Sequence, residues 1–221
     1  MKWNITIAIC FLLSLGTATR AQDFDDDPEE RQKVSVGVLM GMNASNIAVS
    51  MPDNEFDARA GLAAELSLFT EYHINKTWGI RLVVAPSVER MGWSTSPGSW
   101  CTISTGTLDV ALPLAFRMPV GQNWCFVGLG PYSRFVVGGA MSDGSQLPYL
   151  LQVGQDTLTG EPRYAVDKFG SGFAALVGYE TARGLMLQVD VRMGLTNILN
   201  TETYRGRMLP YKVVASVGWR F

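Results

Sequence analysis

Tyr211-Lys212-Val213-Val214-Ala215-Ser216-Val217-Gly218-Trp219-Arg220-Phe221 is the last stretch of the chain, and its side chains fall into two unlike sets. Tyr211, Val213, Ala215, Val217, Trp219 and Phe221 share one parity, while Lys212, Val214, Ser216, Gly218 and Arg220 share the other. Period-two alternation marks a β-strand with two different surroundings. About ten tilted residues suffice to cross the hydrocarbon layer of a bilayer, one face on lipid and the other on a polar interior. The stretch therefore reads as one strand of a transmembrane barrel.

Working back from it, seven further segments alternate in the same way, and no helical period of any length interrupts them. The eight are Lys33–Asn46, Arg59–Tyr72, Thr77–Met91, Cys101–Met118, Gln122–Gly139, Val166–Glu180, Gly184–Ile198 and Pro210–Phe221. Their connections alternate in length. His73–Lys76, Pro119–Gly121 and Thr181–Arg183 are tight turns, whereas Ile47–Ala58, Gly92–Trp100, Gly139–Ala165 and Leu199–Leu209 are long and rich in Gly, Pro, Ser, Thr and Asn. Short periplasmic turns with long extracellular loops are the pattern of bacterial barrels, and an even strand count puts both termini in the periplasm.

A soluble, lipocalin-like barrel also alternates, with its apolar face inward. Residue size separates the two cases. One face carries bulky Leu62, Leu66, Leu68, Ile80, Leu82, Val84, Leu108, Val110, Leu112, Leu114, Phe116, Leu185, Leu187, Val189 and Val191. The other carries Gly37, Gly41, Gly61, Ala63, Gly79, Ala85, Ala111, Ala115, Gly128, Gly130, Gly172, Ala174, Gly178, Gly194 and Gly218. Eight strands enclose a bore only just wide enough for side chains, so the small face belongs inside. The bulky face then meets lipid, because that much exposed apolar surface aggregates in water.

The small face also holds the charges: Arg59, Glu65, Glu71, Arg81, Glu89, Asp109, Arg117, Arg134, Glu180, Asp190, Arg192, Lys212 and Arg220. With the signs so nearly balanced, an ion-paired plug is expected, since a lone charge in a confined space is costly. Tyr72, Trp78, Trp124, Tyr179, Trp219 and Phe221 fall at the turn-side ends, where amphipathic rings favour the headgroup level. Trp93, Trp100, Tyr149, Tyr204 and Tyr211 fall in or beside the long loops.

At the N-terminus, Met1 and Lys2 precede an apolar run, Ile5–Leu15, and Thr19-Arg20-Ala21 offers a small-residue exit, which together read as a secretory signal peptide. The run is too short for a spanning helix. Asp23, Asp25, Asp26, Asp27, Glu29 and Glu30 follow, read as a solvated leader. Hydrophobic residues make up 47% and charged ones 17%, with 23 glycines, which suits a β-rich chain facing lipid; a net charge of −2 argues against nucleic acid as a partner. Cys101 and Cys125 are placed at opposite ends of a hairpin, too far apart for a disulfide. The one histidine, His73, falls in a turn and reads as an exposed turn residue. No G-x-S-x-G elbow, phosphate loop, metal cluster or dinucleotide fingerprint is present.

Leu108-Asp109-Val110-Ala111-Leu112-Pro113-Leu114, Gly128-Leu129-Gly130-Pro131-Tyr132, Val177-Gly178-Tyr179-Glu180 and above all Gly194-Leu195-Thr196-Asn197-Ile198 resemble the outer membrane protein β-barrel domain family. That family is widespread in Bacteroidota, includes PorT-like proteins and is similar in architecture to OmpX. The resemblance covers essentially the whole mature chain, with its motifs in order. It implies an eight-stranded outer-membrane barrel, with PorT-like members implicated in protein secretion and gliding. Asn197 and Pro131 carry over as turn or strand-end residues without catalytic role. The long third loop, with Pro148 and Pro162, is individual to this chain.

The expectation is an all-β protein: residues 1–21 a signal peptide, 22–32 an acidic flexible leader, and 33–221 an eight-stranded antiparallel up-and-down transmembrane β-barrel integral to the bacterial outer membrane. It is expected as a monomer in outer-membrane lipid, with a surface or periplasmic protein as candidate partner, and without nucleic acid, cofactor, metal or catalytic residue. Three functions fit it, in descending order. The first is a non-enzymatic scaffold presenting the loops Ile47–Ala58 and Gly139–Ala165, linked through the resemblance to PorT-like secretion. The second is a small pore for ions or hydrophilic solutes, and the third a lipid-modifying enzyme.

Overall fold

The computed structural model describes residues 33–50, 57–96, 99–141, 152–155, 162–164, 167–199 and 206–221. The segments expected to be a signal peptide and an acidic leader lie outside them, as do parts of the long loops. The strands are β1 (Val34–Ser50), β2 (Asp57–His73), β3 (Trp78–Ser96), β4 (Ser99–Ala111), β5 (Leu114–Val120), β6 (Asn123–Met141), β7 (Gln152–Gln155), β8 (Pro162–Tyr164), β9 (Phe169–Glu180), β10 (Leu185–Gly194) and β11 (Arg207–Arg220).

Every pairing is antiparallel, and β1 pairs with both β2 and β11, so the sheet closes on itself. Closure leaves no free edge within the ring, which is what a strand needs where no water can satisfy its backbone. β4 and β5 together form one stave between β3 and β6, giving a ring of eight staves. The expected single strand Cys101–Met118 is thus interrupted at Leu112-Pro113. Pro113 has no N–H to give the ladder, although its carbonyl still accepts from Arg81 N at 2.9 Å, while Leu112 N donates to Pro131 O at 3.0 Å. The side-chain alternation runs through the break unchanged. Pro131, expected at a turn or strand end, lies instead within β6, opposite that break.

Staves β1, β2, β3 and β6 run 17, 17, 19 and 19 residues, whereas β10 has 10. A crossing takes about 9–11 residues, so one side of the barrel continues well past the bilayer at the long-loop end. All four expected long loops give up residues to strands, two of them most. Most of Gly92–Trp100 is strand, β3 reaching Ser96 and β4 starting at Ser99. Between β6 and β9, the stretch expected to be loop carries the two-stranded β7–β8 hairpin.

The short turns fall at Ile74–Thr77, Gly121–Gln122 and Thr181–Gly184. Gly121 sits at φ 63° and Gly184 at φ 86°, the left-handed region that only glycine enters without strain. The two-residue turn moves the start of β6 to Asn123, one residue beyond the expected position.

The bulky residues expected outside do face outward and the small ones expected inside face inward, but large Leu39, Phe69, Phe126 and Met186 also point inward and fill the bore. Leu62, Leu187, Leu129 and Val137 are among the exposed residues, at 64%, 54%, 60% and 77%, while Ala85, Ala115 and Met186 are fully enclosed. The apolar girdle faces what would be lipid. Tyr72, Trp78, Trp219 and Phe221 project outward near the short-turn end. Trp124 does not: it lies on the inward parity and lines the turn-side mouth, so it is no lipid anchor.

Candidate functional site: the packed lumen and its mouth

Inward side chains form successive layers along the barrel. At the short-turn end, Arg117 and Arg220 both reach Glu180, at 2.8 and 3.1 Å, and Arg220 also reaches Glu71 at 3.0 Å. Just inside, Arg81 holds Glu71 at 2.6 Å, with neither side chain exposed. The Arg81 guanidinium lies between two rings, 4.7 Å from the centroid of Phe69 and 4.6 Å from that of Phe126. Cation–π contact of this kind strengthens when water is excluded. Phe126 lies flat enough to do this because Gly178 leaves room: a Cβ there would come 2.2 Å from the ring.

Phe69 and Phe126 belong to an apolar layer with Leu39, Val83, Leu176 and Met186. One polar thread crosses it: Arg81 Nη1 donates to Gln188 Oε1 at 2.7 Å, and Gln188 Nε2 donates to Asp190 at 2.9 Å. Beyond lies the main charged layer. Arg192 reaches Glu65 at 2.6 Å and Asp109 at 2.8 Å; Lys212 contacts Asp109, Glu65 at 2.9 Å and Glu89 at 3.2 Å; Arg134 reaches Glu89 at 2.5 Å. Two hydroxyls add to this layer: Tyr132 donates to Asp109 at 3.1 Å and Ser67 to Glu65 at 3.0 Å. Toward the long-loop end, buried Ile47, Met91, Ile103, Val136, Ile198, Leu199 and Met208 close over this layer.

Twelve of the thirteen charges expected in the lumen are there, six acids facing six bases. Arg59 is the exception. It lies beyond the register shift between Ala60 and Glu65, opposite Gly92, and is exposed at the long-loop end of β2. Removing it makes the interior sum neutral, as enclosure demands, because a buried charge without a partner costs several kcal/mol.

His73 departs from its expected role. It is the last residue of β2, half-buried, with Nε2 3.1 Å from the Ser35 hydroxyl and 3.3 Å from Arg220, and Nδ1 3.5 Å from Glu71. Nothing in its position in the chain marks Ser35 and Arg220, which come from β1 and β11, whereas Glu71 lies two residues before it on β2. It lines a cavity of about 770 Å³ at the short-turn mouth, together with Lys33, Lys76, Arg117, Trp124, Glu180, Arg183, Arg220 and Phe221. The Arg117 guanidinium covers the Trp124 ring at 5.0 Å.

Asn197 behaves as a turn residue. Its Oδ1 accepts from Leu199 N at 3.2 Å and Met208 N at 2.8 Å, and its Nδ2 donates to Gly206 O at 3.1 Å, tying the end of β10 to the start of β11. Cys101 pairs in register with Trp93 at the long-loop end, and Cys125 with Met118 near a short turn, where Cys125 is a free thiol. Among the described residues, no group of three His, Cys, Asp or Glu side chains is placed to hold a metal ion. Among those residues, too, no helix is long and apolar enough to cross a membrane.

A closed ring of eight antiparallel staves, apolar outside and ion-paired within, defines an integral outer-membrane β-barrel protein. The chain belongs to the outer membrane protein beta-barrel domain family, whose model matches residues 20–200. Among solved structures it is similar to the outer membrane protein OprG from Pseudomonas aeruginosa, at 14% identity and a TM-score of 0.52, covering 86% of this chain and 97% of that one. It is also similar to Neisserial surface protein A, at 11% identity and a TM-score of 0.47, covering 85% and 99%. For the attachment invasion locus protein Ail of Yersinia pestis, the identity is 11% and the TM-score 0.43, covering 86% and 100%. These likenesses concern the fold. No curated protein matches the chain in sequence.

Proposed function

We propose that the protein is a non-enzymatic outer-membrane scaffold that acts through its ends, not through its bore. The observation that carries this is the lumen itself, where six carboxylates and six cations pair among apolar layers. A conduction path needs sites that bind weakly enough to release an ion, whereas these charges are locked in short contacts to one another. Catalysis would need a group held ready for substrate, and the carboxylates here are engaged by arginine or lysine.

The tall wall built from β1, β2, β3 and β6 carries the long loops outward, and loops on a rigid scaffold are where binding residues concentrate. The long-loop end is the extracellular, partner-facing end in this reading, with both termini in the periplasm. The family resemblance makes a secretion-linked assembly, as for PorT-like members, the first partner class to examine.

A photo-crosslinking residue placed at Asn54 or Tyr149 in intact cells tests the assignment, with Lys76 in a short turn as the control position. Specific protein adducts from the loop positions and none from Lys76 are expected. Adducts from Lys76 alone would move the working surface to the other end.

A further inference from the structure

The short-turn mouth holds more positive charge than its own acids neutralise. Arg117 and Arg220 share Glu180, but Lys33, Lys76 and Arg183 also line the cavity, all exposed, and none has an ion pair among the described residues. Glu180 is the one acidic side chain among the described residues that line it. Buried Nε atoms of both Arg117 and Arg220 have no hydrogen-bond partner. A concave, basic cavity of about 770 Å³ with an aromatic wall at Trp124 is built to receive something anionic.

The chain supplies a matching anion next door. Asp23, Asp25, Asp26, Asp27, Glu29 and Glu30 lie between three and ten residues before Lys33, itself part of the cavity rim. At most about 3.3–3.6 Å per residue, ten residues reach roughly 35 Å, ample to fold back across the opening. Phe24 within the run gives it one apolar side chain to set against Ile74, Trp124 or Phe221. We propose that the acidic segment Asp23–Glu30 is the occupant of this basic mouth. Tethering so close gives the segment an effective concentration of order millimolar, so weak individual contacts suffice. The excess of cations at the rim, which the internal ion pairs leave unexplained, then has a partner encoded in the same chain. Because the contact is exposed and electrostatic, salt should release it.

Cleavage after Glu29 and Glu30 by a glutamate-specific protease reads the docking, scored from the mass of the released N-terminal fragment. The barrel is refolded with its acidic segment in a non-ionic detergent and compared with a free peptide of residues 22–32. At low salt the attached segment should be cut about tenfold or more slowly than the peptide, and at about 0.5 M salt the two rates should converge as charges are screened. The double variant Lys76→Glu with Arg183→Glu should be cut at the peptide's rate even at low salt. Both positions are exposed turn residues, and unheated gel mobility verifies that the variant is folded. Equal rates at low salt for wild type and peptide would overturn the proposal and leave the mouth to a diffusible anion or to leaflet phosphates. Slow cleavage that neither salt nor the double variant relieves would overturn it as well, since protection would then not come from these charges.

Discussion

At the scale of single residues, neighbours such as Lys212 and Val213 live in opposite media. Lys212 is 1% exposed and contacts three carboxylates, whereas Val213 is 40% exposed on the outward girdle. The interior charges hold one another in place: each is tolerable only because its partners are present. Arg192 is the clearest case, reaching Glu65 and Asp109 closely and Asp190 at 3.7 Å. Arg192→Met keeps most of the volume but leaves those acids short of a cation. A loss of about 3–5 kcal/mol is expected, the usual cost of breaking a buried pair from one side. Reversible denaturant unfolding in lipid vesicles measures it; a loss below about 1 kcal/mol would mean that water already reaches this layer.

At the scale of elements, the turns and the ends of strands decide register. Asn197 satisfies two backbone donors and one carbonyl where β10 gives way to β11. Asn197→Ala strips all three, and with net hydrogen-bond values near 1 kcal/mol each it should cost about 1–3 kcal/mol. Amide exchange at Leu199 and Met208 should quicken while the middle of β10 keeps its protection. This is also the scale at which sequence and structure part company. Inward and outward faces were legible because size and parity are local properties, read from one strand without its neighbours. The short turns were legible for the same reason, to within two residues. The extension of β3 and β4 past Gly92 was not, since Gly, Ser and Thr there read as loop and only pairing across the hairpin makes them strand. The interruption at Pro113 was visible as a proline but not as a break, because the parity on either side continues. His73 was misread because its partners Ser35 and Arg220 are 38 and 147 residues away, a distance that no local pattern spans.

At the scale of the whole molecule, closure turns twelve of the thirteen charges expected on the inward face into a cross-linked interior. The sequence parity put them inside; the ring decides which meets which, and it leaves Arg59 at the rim. The layering that results, with a basic mouth, an arginine held between two phenylalanines, a main charged layer and an apolar seal, is the observation on which the proposed scaffold role rests. Reconstitution of the purified barrel in a planar bilayer measures this directly. A protein that inserts, migrates as a folded barrel before heating and yet produces no stable current steps is the expected result. Reproducible unitary steps from the same folded protein would contradict it, because ions would then be crossing a lumen whose charges are supposed to be satisfied by one another.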